Sequence, residues 1–138
     1  MTWRSDYRNS ARAALEAVPR FAGMTILASW AGTIDAQTMP VMGIVTASEQ
    51  MRPSSSGQFE HETLLQVVIK RQGGDTLEDE LDDDDAAVIQ AVMAALFTPA
   101  TPCWPTAMNQ ILNGDGKQRI GTLVRDFKIT SWRPAPGT

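Results

Sequence analysis

The sequence predicts a single α+β domain, a mostly antiparallel sheet of about four strands with two main helices packed on one face. Three observations predict it. Apolar residues recur at helical spacing in Asp6–Val18 and Asp75–Phe97. They alternate with a period of two in Phe59–Arg71 and Arg119–Trp132. Most connections between the predicted strands need no helical crossover, which favours antiparallel neighbours. The 138 residues suit one domain (1–138) that buries roughly two-thirds of its unfolded surface, so folding needs no disulfide or metal.

The elements follow in order. In Asp6–Val18, Tyr7, Ala11, Ala14, Leu15 and Val18 lie on one helical face. Ser5 or Asp6 is placed to cap its free amides, and Pro19 ends it. Met24–Trp30 is a short apolar run between glycines and reads as a strand. Pro40 then leads a second strand through Val41, Met42, Ile44 and Val45, a position where proline costs no ladder bond. Ser48–Gln58 holds Pro53, three serines and Gly57 and reads as a polar loop. In Phe59–Arg71, Phe59, Thr63, Leu65, Val67 and Ile69 alternate with Glu60, Glu62, Gln66 and Lys70, and Gly73-Gly74 breaks the strand.

The strongest helix is Asp75–Phe97. Leu77, Leu81, Val88, Val92 and Leu96 step by 4, 7, 4 and 4 along one stripe. Acidic residues crowd its start, where the helix dipole favours them. Three prolines in Thr98–Pro105 stop it. Thr106–Asn113 reads as a helical turn before Gly114-Asp115-Gly116. Arg119–Trp132 is the last strand, with Leu123, Phe127 and Ile129 on one side. Residues 134–138 read as a frayed tail.

Composition excludes several classes. Hydrophobic residues at 43 % and charged residues at 20 % are globular values and argue against global disorder. A single cysteine, Cys103, excludes an internal disulfide. No apolar run approaches the roughly 18 residues of a membrane span, and the polar start leads into no secretory h-region, so a soluble intracellular product is expected. The net charge of −4 argues against tight duplex binding. Eight of the 16 acidic residues fall in Asp75–Asp85, leaving a nearly neutral body with one acidic knob.

The chemistry-bearing residues point to no active site. An EF-hand loop beginning at Asp75 would need glycine where Glu80 stands, and consecutive aspartates on a helix point in different directions. Glu62 and Lys70 are separated by roughly 26 Å of extended strand, too far to share a metal and a phosphate as a nuclease requires. His61 and Cys103 match no nucleophile motif; a surface histidine and a semi-buried thiol are expected. No catalytic residue, metal or cofactor is therefore assigned.

Four segments, YRNSARAALEAV (7–18), MPVMGIVTASE (39–49), ETLLQVVIKR (62–71) and GGDTLEDELDDDDAAVIQAVMAAL (73–96), stand in an order that resembles one known family. They resemble the tail terminator proteins of long-tailed bacteriophages, of the lambda minor tail protein U type. The likeness spans about residues 5–133 and rests on order and texture; the Pro-rich 98–116 segment matches nothing in that pattern. The resemblance implies a structural virion protein without catalytic residues. Such proteins form a six-membered ring on the head-proximal end of the tail tube, stop addition of the tube protein and present a surface to the head completion proteins. DNA passes through without specific binding. The implied location is the virion tail, after assembly in the host cytoplasm.

Candidate contact residues on that reading are Ser54, Ser55, Ser56 and Gln58 in a loop that orders on assembly. The others are Glu78, Asp79, Asp82, Asp83, Asp84 and Asp85, facing either a neighbouring subunit or the lumen, and Trp3 and Trp132 as anchors. A head–tail connector, an acidic DNA-mimic module and an Mg²⁺ nuclease using Glu62 are the rival readings.

Overall fold

The computed structural model describes residues 2–27, 39–55, 57–114 and 119–134. Its elements in chain order are helix α1 (Trp3–Glu16), a 3-10 turn (Pro19–Phe21), strands β1 (Thr25–Leu27), β2 (Val41–Pro53) and β3 (Gln58–Gly73), helix α2 (Leu77–Leu96), and strands β4 (Cys103–Asn113) and β5 (Arg119–Pro134). One mixed sheet runs in the order β1-β2-β3-β5-β4. Every pairing is antiparallel except β1 with β2. Among the described residues the sheet thus has five strands, one more than expected.

The helices cover one face. Odd-numbered residues of β3 and β5 stand opposite one another, Leu65 with Phe127 and Ile69 with Leu123, and point to the same side. With Met42 and Ile44 of β2 they meet Ala11 and Leu15 of α1 and Leu77, Leu81, Val88, Val92 and Leu96 of α2. The predicted α2 stripe is therefore the buried one. Burying a large aliphatic side chain contributes roughly 1.5–3 kcal/mol, so this layer is the main source of stability. The chain closes tightly where α2 crosses β5: a methyl group at Gly121 would stand 2.6 Å from Leu81 Cδ1.

Several elements differ from expectation, each for a local reason. Helix α1 starts at Trp3, because Thr2 accepts the Ser5 amide as N-cap. The segment read as a loop from Ser48 is strand as far as Pro53, paired rung by rung with β3 from Leu64 to Phe59. A bulge between Thr46 and Ser48 shifts the side-chain phase and hides the alternation. The Pro-rich segment and the supposed helical turn are strand β4. A second bulge, between Pro105 and Met108, again breaks the period. The Thr130 amide donates to the Pro102 carbonyl at 3.0 Å. That pair and Trp104–Lys128 turn their backbone inward, and Pro105 turns its nitrogen to the open edge, where proline loses no ladder bond. Pro134, expected to fray, is the last residue of β5 and stands opposite Gln58. Residues 28–30, Asp115, Gly116 and residues 135–138, on which expectations also fell, lie outside the described residues.

Candidate assembly surface

The four aspartates that open α2 do four different things. Asp84 is fully buried. Its Oδ1 accepts from Arg20 Nε at 2.7 Å and from an Arg71 terminal nitrogen at 2.9 Å, and its Oδ2 accepts from Arg71 Nε at 2.5 Å. One carboxylate thus ties the 3-10 turn, β3 and α2 together, and it holds the Arg71 guanidinium above its ordinary pKa. Asp85 makes a two-point pair with Arg125 at 2.6 and 2.7 Å. Asp82 is exposed and accepts from Gln110 Nε2 of β4 at 3.0 Å. Asp83 is exposed with Glu78 and Asp79. Asp84 therefore faces neither a lumen nor a neighbour, contrary to expectation. The signal for it was in the sequence: the stripe Leu77, Leu81, Val88 skips a turn, and Asp84 fills the skipped place.

Trp3 also works inside the chain. Its Nε1 donates to Glu49 Oε1 at 2.8 Å, its ring meets His61 edge-on at 5.1 Å, and the Arg133 guanidinium lies 4.4 Å over it. Glu49 further accepts from Thr63 at 2.6 Å and contacts His61 Nδ1 at 3.2 Å. Burial pushes the Glu49 carboxyl up, but these hydrogen bonds and the nearby Arg4 charge outweigh it and hold it below the usual range. His61 is 4 % exposed, not the surface residue expected; the period-two pattern of β3 already put it on the core face. Ser131, its cross-strand neighbour, is equally buried. Glutamate, histidine and Thr63 thus gather beneath α1 and tie it to the sheet through Trp3, while the buried Ser131 hydroxyl makes no hydrogen bond among the described residues.

Ser54, Ser55 and Gln58 form the exposed β2–β3 turn. The Ser54 amide donates to the Gln58 carbonyl at 3.0 Å and the Gln58 amide to the Ser55 carbonyl at 2.9 Å. Gly57, at φ +71°, takes the left-handed conformation such a turn needs. The expected long adaptable loop is thus a short turn on a formed hairpin. Ser56 lies outside the described residues. Trp132 is exposed on the face away from the helices, opposite Glu60.

That open face carries Arg52 paired with Glu60 and Glu62, Lys128 at 3.2 Å from Glu62, and Gln66 bonded to Asp126. A shallow groove of about 240 Å³ crosses it between Ser48, Glu62, Leu64 and Thr106. On the helix side, an apolar groove of about 480 Å³ runs between Ala14 and Val18 of the α1 end and Ala87, Ala91 and Ala94 of α2.

The surface that sequence reasoning missed is β4. Among the described residues no strand pairs with its outer side. Its eleven residues, CWPTAMNQILN, carry no charge. Trp104, Met108 and Ile111 are 53 %, 42 % and 58 % exposed, and Phe97 packs edge-on against Trp104. Proteins ordinarily blunt a free edge with charge or proline. Here Pro105 guards one half, and among the described residues no strand, charge on β4 or proline guards Met108–Asn113. No helix among the described residues is long and apolar enough to cross a membrane. No protein-family model matches this chain, and no curated protein matches it.

Proposed function

We propose that the protein is a ring-forming tail terminator of a long-tailed bacteriophage. On this reading it caps the head-proximal end of the tail tube, ends tube growth and offers the surface to which a head completion protein attaches. The observation that carries the reading is a sheet that, among the described residues, has one face free of helices and an uncharged edge strand with exposed Trp104, Met108 and Ile111; the resemblance of four segments to the terminator pattern supports it. An isolated monomer gains nothing from Trp104, Met108, Ile111 and Trp132 in water; a subunit that is copied around an axis buries such residues. The role is structural. The subunit binds copies of itself, the tube protein and the head-side partner, holds no cofactor, and resides in the virion tail.

The deciding experiment is genetic. Phage lacking the protein should build tails of uncontrolled length. Tails of normal length that fail to join heads would instead make it a head–tail connector. The DNA-mimic alternative is weakened by the internal pairing of Asp84 and Asp85, which leaves most of the exposed carboxylates among the described residues gathered at one helix start.

A further inference from the structure

The two sides of the sheet are complementary. On one side lies the outer edge of β4, eleven residues long. On the other, β1 pairs only with Val41–Gly43, and among the described residues no strand lies against β2 from Ile44 to Pro53. Strand direction alternates from β2 through β3 and β5 to β4, so β2 and β4 run oppositely. Rotation about an axis broadly along the strands, tilted enough to allow a stagger, leaves strand direction nearly unchanged. It therefore brings the β4 of one copy antiparallel to the β2 of the next, the same pairing as within the sheet.

Charge flanks these edges with opposite sign. Beside β4, α2 presents exposed Asp82, bonded to Gln110. Beside β2, α1 presents Arg8, bonded to Thr46. Thr46 stands level with Phe127 and Gln110 with Leu123, so the two sites are offset by four rungs, about 13 Å. A shift of that size sets Gln110 opposite Thr46 and brings Asp82 to Arg8. The same shift lays Cys103–Leu112 along β2 from Pro53 back to Ile44, the stretch that β1 leaves uncovered, with Asn113 reaching level with Gly43. Edge length, to within one rung, and charge thus agree on one stagger, of the kind that strands tilted around a closed axis adopt.

We infer that the β4 edge of one copy adds to the β2 edge of the next, head to tail, with Asp82 facing Arg8 across the junction. This rests on the reading of the protein as a self-assembling ring subunit and names the surfaces that close the ring. Each subunit gives two different edges, so the contact repeats until the rotation closes.

The test uses the full chain with paired cysteines on the open face, Ile111→Cys and Val45→Cys. Oxidation of the double variant should give a ladder of linked oligomers ending at a closed ring. Mixing the two single variants should give dimers only. Cys103 is buried with its thiol pushed up to about 11, so it stays out of the reaction. In sedimentation, Asp82→Arg and Arg8→Glu should each weaken association roughly tenfold, and the two combined should restore it. Thermal melts check that each variant folds. Linking of Ile111→Cys alone would mean that two β4 strands face each other, and overturns the inference. Absence of any linked product, or a charge-reversed pair no better than its singles, overturns it too. The terminator reading stands or falls separately, on tail length in phage lacking the protein.

Discussion

Replacing Asp84 by asparagine isolates one carboxylate that three chain segments share. Asp84 is fully buried, whereas the side chains of its partners Arg20 and Arg71 are 34 % and 17 % exposed. The change keeps size and shape but removes the charge that three hydrogen bonds share. Breaking a buried ion pair by removing one partner costs about 3–5 kcal/mol. The partly solvated arginines regain water, which places Asp84→Asn near the lower end, about 3 kcal/mol. For a chain of this length, an unfolding entropy of about 0.3 kcal/mol/K converts that to a fall of roughly 10 °C in Tm. Urea titration and calorimetry measure both quantities. Asp83→Asn, one residue earlier and exposed, should change stability by less than about 0.5 kcal/mol. Equal, small effects at both positions would refute the claim that the acidic run is divided between a core tie and a solvated face.

Three further outcomes follow from the packing. Glu49 titrates below its ordinary range in the folded chain, so the unfolded chain binds more protons there; its stabilisation is complete above the ordinary glutamate range and is lost as pH falls through the depressed value. Urea midpoints measured from about pH 6 downward should decline less steeply in Glu49→Gln than in the native chain. Gly121→Ala places a methyl group among Leu77, Leu81 and Leu112 and should destabilise by about 1–3 kcal/mol in denaturant titration, while Gly23→Ala, with open space around it, should be close to neutral. Cys103 should resist an aromatic disulfide reagent in the folded protein and react at once in urea, because its thiol is both buried and held in the protonated form.

Much of the fold was legible in the residues. The α2 stripe and the alternations of β3 and β5 each depend on a long unbroken period, and these are the elements that form the core. Strand β2 was legible only as far as its bulge, and β4 not at all. A bulge inserts one residue and flips every later side chain, so the period disappears from the sequence while the strand continues in space. The candidate contacts divide in the same way. Trp3 and Asp84 carry types common at interfaces, yet each is taken up by partners 46 and 64 residues away, Glu49 and Arg20. The β4 edge has no motif; it is a surface only because of where its strand lies in the sheet.

The sequence by itself determined the class of fold and the acidic start of α2, because composition and short-range periodicity are properties of neighbouring residues. The tertiary structure alone decided which aspartate is buried, which tryptophan stays exposed and which strand ends the sheet. Those outcomes depend on pairings between residues dozens of positions apart: a carboxylate is a core tie or a solvated charge according to whether two arginines from other elements arrive beside it.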